Sequence, residues 1–393
     1  MAERQTAAEP GLAASPRLQP EQRRRRGARI ALLAGACLLA ALVVEAGVRL
    51  TLGDRIVLFP RYHTGADYGE FKLRRLRANE RFHHRSRDGE WEFRINSAGL
   101  RNDREFARPK PPGVFRVLCL GDSHTQGYEV RQEHTYAAVL ERFLNANGLR
   151  AEVINAGVSG FGTAEQVAYL ESEGVKWQPD AVVVGFFAND YEDNLKAGLF
   201  QLEADGSLKV VKREHLPGVS IQDKLYAVPG AKWLGEHSYA YAHVFNLVWE
   251  HHKSRLAASA RAAVPVESAV ATRAADEHES RLAAALLARL GGFCRSRGIK
   301  SLVLDLPQTD ERTTARASLN AVAHAAAERH CDGVLAYAAL LRPYAGVADL
   351  HVAHGQRHIT EFTHALLGVA AGQRLLAGRA EPRPALPDSG ATR

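Results

Sequence analysis

Five short apolar runs, separated by turns and helical patterns, constrain this chain more than any other feature of it. They are Phe115–Leu120 (FRVLCL), Glu152–Asn155 (EVIN), Ala181–Phe187 (AVVVGFF), Ser301–Leu306 (SLVLDL) and Val334–Tyr337. The third is apolar almost throughout, as a strand buried on both faces has to be. Helical patterns fall between the runs, around Tyr136–Asn147, at Thr163–Gly174 and roughly at Thr314–His330. In the second of these, Thr163 reads as the cap and Gln166 as the third helical residue. Strands joined through helices cross over right-handed and lie parallel. The prediction is a three-layer α/β/α sandwich on a five-stranded parallel sheet. Ligands of such sheets bind beyond the carboxyl ends of the strands, so the chemistry belongs after Leu120, Asn155, Phe187 and the last strand.

Composition, at 46% hydrophobic and 24% charged, excludes wholesale disorder and a multi-span membrane protein. The net charge is +7, of which residues 1–29 carry +4 through seven Arg against three Glu. The remaining +3 is too thin a field for a nucleic-acid-binding body, and no nucleic-acid partner is expected. The four cysteines (Cys37, Cys119, Cys294, Cys331) show neither a disulfide framework nor metal-ligand spacing, so no metal and no cofactor is expected.

Arg23–Arg26 precede the apolar run Ile30–Val44. At about 1.5 Å per residue that run spans roughly 22 Å; residues 28–48 reach about 31 Å, against about 30 Å of hydrocarbon, and take in Glu45 near the outer end. Residues 1–27 then form a basic cytoplasmic tail and 28–49 a single transmembrane anchor, with the body on the periplasmic (extracytoplasmic) side of the inner (plasma) membrane. A cleaved signal peptide is the alternative. No good small-x-small cleavage site follows Val44, which favours the anchor, and either reading exports the body.

Residues 50–112 form a juxtamembrane lead-in rich in Arg, His and Gly, containing WEFRINSAGLR at 91–101 and closed by Pro109, Pro111, Pro112 and Gly113. Residues 195–275 interrupt the strand–helix rhythm with a hairpin at Asp205-Gly206, an aromatic stretch at 231–252 and an Ala/Val-rich linker near 257–275. They read as an insertion above the sheet, a lid or substrate wall. Residues 379–393 are Pro-rich and lack apolar periodicity, which predicts a disordered tail.

The segments after the first three strands carry compatible chemistry. Gly121-Asp122-Ser123-His124-Thr125-Gln126-Gly127 puts a Ser on a tight strand-to-helix turn, where its hydroxyl projects at the sheet edge beside its own N–H. Such a Ser is either a nucleophile or a helix cap. After the second strand, Asn155-Ala156-Gly157-Val158-Ser159-Gly160 is either a flexible loop or a place where backbone approaches a ligand, with the Gly160 N–H as a donor. After the third, Asn189 can donate from its amide, or serve with Asp190 as ordinary turn residues.

Together, GDSxTxG at 121–127, NxGxxG at 155–160 and Asn189-Asp190 resemble the SGNH (GDSL-type) hydrolase family over roughly 113–378, and the INSAGLR segment resembles the lead-in of membrane-anchored bacterial members. The resemblance implies a flavodoxin-like sandwich and a carboxylic ester hydrolase. It implies Ser123 as nucleophile, an oxyanion hole from the Ser123 and Gly160 N–H groups and the Asn189 side chain, and supporting carboxylates in Asp122 and Asp190. One departure is Phe187, which stands where the family usually has Gly and is expected to narrow the acyl pocket.

The resemblance also implies a His near the carboxyl end, with an Asp two or three residues before it. Asp349 and His351 have that spacing; His358 has instead the expected sequel, with Ile359, a capping Thr360 and a periodic helix, but Gln356 stands where the Asp belongs. His358 is preferred as base, with Asp349 reaching it through a looped chain or with no carboxylate at all, and His351 is the alternative. His354 lies between the two, and His364 reads as a structural helix residue. His83, His84, His237, His243, His251 and His252 lack metal-site spacing, and His251-His252 belong on a solvated helix face. The expected substrate is an ester of a small molecule, or of a cell-envelope glycan or lipid, O-acetyl included. An O-acetyltransferase and a non-catalytic envelope module are the alternatives.

Overall fold

The computed structural model describes residues 20–60, 62–262, 271–309, 315–354 and 358–380. The chain divides into two units, the first ending at Thr51 and the second beginning at Leu52. Among the described residues the first is a continuous helix, α1 (Pro20–Leu52), which ends one residue past that boundary and whose best 18-residue window has a mean hydropathy of 2.3. It is long and apolar enough to cross a membrane.

The second unit begins with two antiparallel hairpins, β1 (His63–Tyr68) with β2 (Phe71–Leu76), and β3 (Arg81–Ser86) with β4 (Gly89–Arg94). Strand β5 (Phe115–Gly121) follows, then α2 (Ser123–Gln126), α3 (Tyr136–Ala146), β6 (Ala151–Asn155), α4 (Thr163–Ser172), β7 (Ala181–Phe186) and α5 (Asp190–Ala197). The insertion supplies β8 (Phe200–Leu202), β9 (Leu208–Val210), β10 (Glu214–His215), α6 (Val219–Tyr226), α7 (Ala231–His237) and α8 (Tyr239–Ala262). The chain returns through α9 (Ala271–Ser296), β11 (Lys300–Asp305), α10 (Ala321–His330), β12 (Gly333–Leu335), α11 (Tyr337–Leu340) and α12 (Glu361–Ala380).

The central sheet is parallel throughout, in the order β12-β11-β7-β5-β6. Counted along the chain, that is the 2-1-3-4-5 order of a flavodoxin-like sheet, which reverses direction between β5 and β7. Alternate residues of β5, β6 and β7 feed the two main cores on either face of the sheet. Leu118, Leu120, Ile154, Val182 and Val184 pack on α4 and α9 through Val167, Leu170, Leu282, Leu286 and Leu290. Val117, Cys119, Val153 and Val183 pack on α3 and α12 through Leu140, Leu144, Leu367 and Ala371. Each such aliphatic side chain removed from water contributes about 1.5–3 kcal/mol. Helix α12 lies against α3 closely enough that a Cβ on Gly372 would fall 2.3 Å from the Phe143 ring.

Several boundaries differ from the sequence reading. The cap of α4 is Gly162, whose N–H donates to Glu165 Oε2 at 2.7 Å; Thr163 is the first helical residue. Helix α10 starts at Ala321, because Asn320 turns its side chain to accept from the Ala323 N–H; residues 310–314 lie outside the described residues. Of the linker expected near 257–275, residues 257–262 end α8 and 271–275 open α9, both rich in helix-favouring Ala; 263–270 lie outside the described residues. Of the tail expected at 379–393, residues 379 and 380 finish α12, and 381–393 lie outside the described residues. The hairpin expected at Asp205-Gly206 joins β8 to β9. Strand β10 of the insertion adds in parallel to β2, so lead-in and insertion share one small sheet, β1-β2-β10.

Candidate active site

The first site element is made by the abrupt turn at the end of β5. Gly121 has φ +153°, and a Cβ there would lie 2.0 Å from Thr125 Oγ1 and 3.0 Å from the Gly185 carbonyl. Only Gly lets α2 fold back so tightly over the sheet edge. Asp122 caps α2, its Oδ1 accepting from the His124 N–H at 2.9 Å, and Ser123 is the first helical residue. Asn155 ties the β6 loop to this turn: its Nδ2 donates to the Thr125 carbonyl at 2.9 Å, and its Oδ1 accepts from the Gly157 N–H. Gln126 Oε1 accepts from the Ser159 N–H at 2.9 Å, which holds the same loop a second time.

Asp190 begins α5 and accepts from the Phe187 N–H at 3.1 Å. Both carboxyls expected as supporting groups are fully buried and hold strand-end turns. Burial pushes Asp122 up to about 6, and Asp190 well above the usual carboxylate range, with Asp122 adding to the effect on Asp190.

The hydroxyl of Ser123 meets an imidazole, His358 Nε2, at 2.8 Å. Residues 349–352 and 358–360 pair across a short bridge that sets this His: the Val352 N–H donates to the His358 carbonyl, and the Thr360 N–H to the Leu350 carbonyl. Two residues expected at the site are held by this pairing instead. His351 Nε2 bonds the Pro307 carbonyl at 2.9 Å, and burial lowers the His351 pKa to about 4. Asp349 meets the loop through its main chain, its carbonyl accepting from Thr360 Oγ1 at 2.8 Å. His364 is buried, and its Nδ1 accepts from the Tyr136 N–H at the start of α3; burial takes its pKa down to about 3.

The carboxylate beside the other nitrogen of His358 is one that the sequence reading passed over. Glu129 Oε2 lies 3.4 Å from His358 Nδ1 and accepts from the His358 N–H at 3.3 Å. Its side chain is fully buried, with Oε1 3.8 Å from His84 Nε2 on β3. Glu129 has φ +58°, a left-handed conformation that costs an L-residue about 1–2 kcal/mol. The available signal was local: a lone acidic residue in Gly127-Tyr128-Glu129-Val130, directly after the nucleophile turn, in a chain with Gln356 where the Asp was sought.

Ser123, Gly160 and Asn189 line one cavity of about 530 Å³. Asn189 Nδ2 donates to Asp193 Oδ2 at 3.0 Å, and Arg74 Nη2 donates to the Gly160 carbonyl at 2.9 Å. Arg74 comes from β2 of the lead-in, and Trp249, Glu250 and His252 come from α8 of the insertion. His252 therefore faces the cavity rather than open solvent, while His251 is exposed. Phe187, expected to narrow the acyl pocket, packs its ring on His124, with centroids 4.0 Å apart. His124 is buried, which drives its pKa well below the usual imidazole range.

Residues 119–366 match the model of the GDSL-like Lipase/Acylhydrolase family. No curated protein matches the chain. Among solved structures, the chain is similar to a two-domain esterase (CEX) active on acetylated mannans, at 14% identity and a TM-score of 0.38, over 70% of this chain and 52% of that one. It thus spans about half the length of that protein. It is also similar to the lipase/acylhydrolase from Enterococcus faecalis, at 18% identity and a TM-score of 0.37, over 69% of this chain and 100% of that one. A third similarity is to the psychrotrophic esterase EstA from Pseudoalteromonas sp., at 12% identity and a TM-score of 0.35, over 68% and 99%.

Proposed function

Because the chain belongs to the GDSL-like Lipase/Acylhydrolase family and is therefore an ester hydrolase, we propose that Ser123 is its nucleophile and His358 its general base. The observation that carries this is the 2.8 Å contact between Ser123 Oγ and His358 Nε2 at the carboxyl end of β5. His358 Nε2 takes the hydroxyl proton as Oγ bonds to the ester carbonyl carbon. The N–H groups of Ser123 and Gly160 and the Asn189 amide hold the oxyanion that forms. The same nitrogen returns the proton to the departing alcohol, then deprotonates the water that releases the acid.

The substrate in this reading is an ester of a cell-envelope glycan or lipid, with O-acetyl on a polysaccharide as the leading form. What supports it is the wall of the cavity. Arg74, Glu192, Asp193, Lys196 and Glu250 line it beside Trp249. Charged groups around an aromatic suit a hydroxylated ring, which hydrogen-bonds at its rim, far better than an alkyl chain, which would strip them of water. Helix α1 supports a single-span anchor that keeps the body outside the inner membrane. The same polar wall also accommodates a sugar hydroxyl in place of water as acceptor, the O-acetyltransferase alternative. Two measurements test the reading. A fluorophosphonate probe should label the wild type and not Ser123→Ala; a folded wild type that stays unlabelled overturns the nucleophile. Acetylated and free oligosaccharides in competition then show whether the acyl group passes to water or to sugar.

A further inference from the structure

We propose that Glu129 is the carboxylate that orients His358, the place the sequence assigned to Asp349, and that the lead-in hairpin β3–β4 holds it there. The proposal rests on His358 being the base. His358 Nε2 bonds the Ser123 hydroxyl, and on the other side of the ring Nδ1 lies 3.4 Å from Glu129 Oε2, an ion-pair contact short of hydrogen-bond alignment. A carboxylate on that side keeps the proton on Nδ1, leaves Nε2 free to accept from Ser123, and stabilises the imidazolium that follows. Glu129 Oε2 also accepts from the His358 main-chain N–H, so the oxygen beside the ring anchors the backbone of the base.

Nothing local would put Glu129 in a left-handed conformation inside the protein; the surrounding structure imposes it. Arg101 of the lead-in is fully buried, lies over the Phe93 ring of β4 at 3.6 Å, and donates to the carbonyls of Gln126, Gly127 and Val130. Those carbonyls bracket Glu129, so one guanidinium clamps the turn that carries it. His84 flanks the far oxygen of Glu129 from β3. At the hairpin tip, Asp88 accepts from the His354 N–H at 2.8 Å and bonds His354 Nδ1 at 2.9 Å, which holds the other end of the His loop. The hairpin thus flanks the carboxylate through His84 and holds His354, four residues before the base, through Asp88.

The groups facing His358 are Ser123, Glu129, His124 and Tyr128, with Asp122, His351 and His364 acting on or with it through space; His84 faces Glu129. Removing the Glu129 charge while keeping its shape is therefore the sharpest test. Glu129→Gln should lower kcat about 10²–10⁴-fold with KM within a few-fold, by analogy with amide replacement in a serine triad. Glu129→Asp, one methylene shorter, should recover part of the loss, and Asp349→Asn should behave as wild type. A folded Glu129→Gln with wild-type kcat overturns the proposal, as does a loss of 10²-fold or more in Asp349→Asn. If Glu129→Gln does not fold, the downfield imidazole N–H resonance of the wild type takes over the test. It should vanish in His358→Ala and persist in Asp349→Asn, and its loss in Asp349→Asn overturns the proposal. Full activity in His358→Ala would instead refute the base on which the proposal rests.

Discussion

Replacing Asn189 by Ala separates an oxyanion donor from a structural hydrogen bond, because the residue lines the cavity while its amide also bonds a carboxylate. One N–H of Nδ2 donates to Asp193 Oδ2 at 3.0 Å, and the residue lines the cavity next to Ser123 and Gly160. If the other N–H serves the oxyanion, Asn189→Ala removes a bond made only in the transition state, typically about 2.7–4 kcal/mol, or 10²–10³ in kcat. The same change takes a partner from Asp193, whose pKa burial already raises. Lys196 Nζ still pairs with that carboxylate at 2.9 Å, which limits the stability loss to about 1 kcal/mol. The expected pattern is therefore a kcat two to three orders of magnitude lower, an unchanged KM and a melting point only a few degrees lower. Steady-state hydrolysis of a chromogenic acetate ester, alongside thermal unfolding, reads all three. A kcat within threefold of wild type, or a loss expressed entirely in KM, refutes the assignment of Asn189 to the oxyanion.

Two further outcomes follow from the buried titratable groups. Burial raises the Glu165 carboxyl to about 8, above its unfolded value, so the folded protein holds a proton that the unfolded chain releases. That stabilisation is present below the unfolded pKa and is lost as pH rises through about 8; Glu165→Gln should flatten the fall in melting temperature between pH 5 and 8, and an unchanged slope counts against it. His351 behaves in the opposite sense: with its pKa lowered to about 4, it favours the folded state above the unfolded value near 6.5, and this is lost as pH falls from about 6.5 through about 4. His351→Gln should reduce that acid-side loss while leaving kcat within a few-fold, and a collapse of kcat would return His351 to the reaction.

Much of the architecture was legible in local pattern. The run AVVVGFF could only be a strand covered on both faces, and β7 is indeed the middle strand of the sheet. Segments with weaker periodicity were misjudged at their ends, as at Thr163 and around 257–275, because caps and Ala-rich helices depend on side chains that the pattern does not weigh. The lead-in shows no strand pattern in its sequence. Its hairpins pair short polar and basic strands such as RFHHRS with GEWEFR, whose alternation becomes visible only once Phe82 and Phe93 are seen stacked in a core.

What the sequence alone determined is the order of strands and turns, and with it the positions of Ser123, Gly160 and Asn189 at strand ends, since each depends on residues within a few positions of itself. What only the tertiary structure decided is which groups meet there. His358 lies 235 residues from Ser123 along the chain, and the carboxylate beside it lies 229 residues from it on the nucleophile's own turn. Spacing along a chain carries no information about such meetings. They are set by the β5–β7 switch point, by the bridge that turns His351 toward Pro307 and His358 toward Ser123, and by a buried guanidinium that bends the Glu129 turn inward.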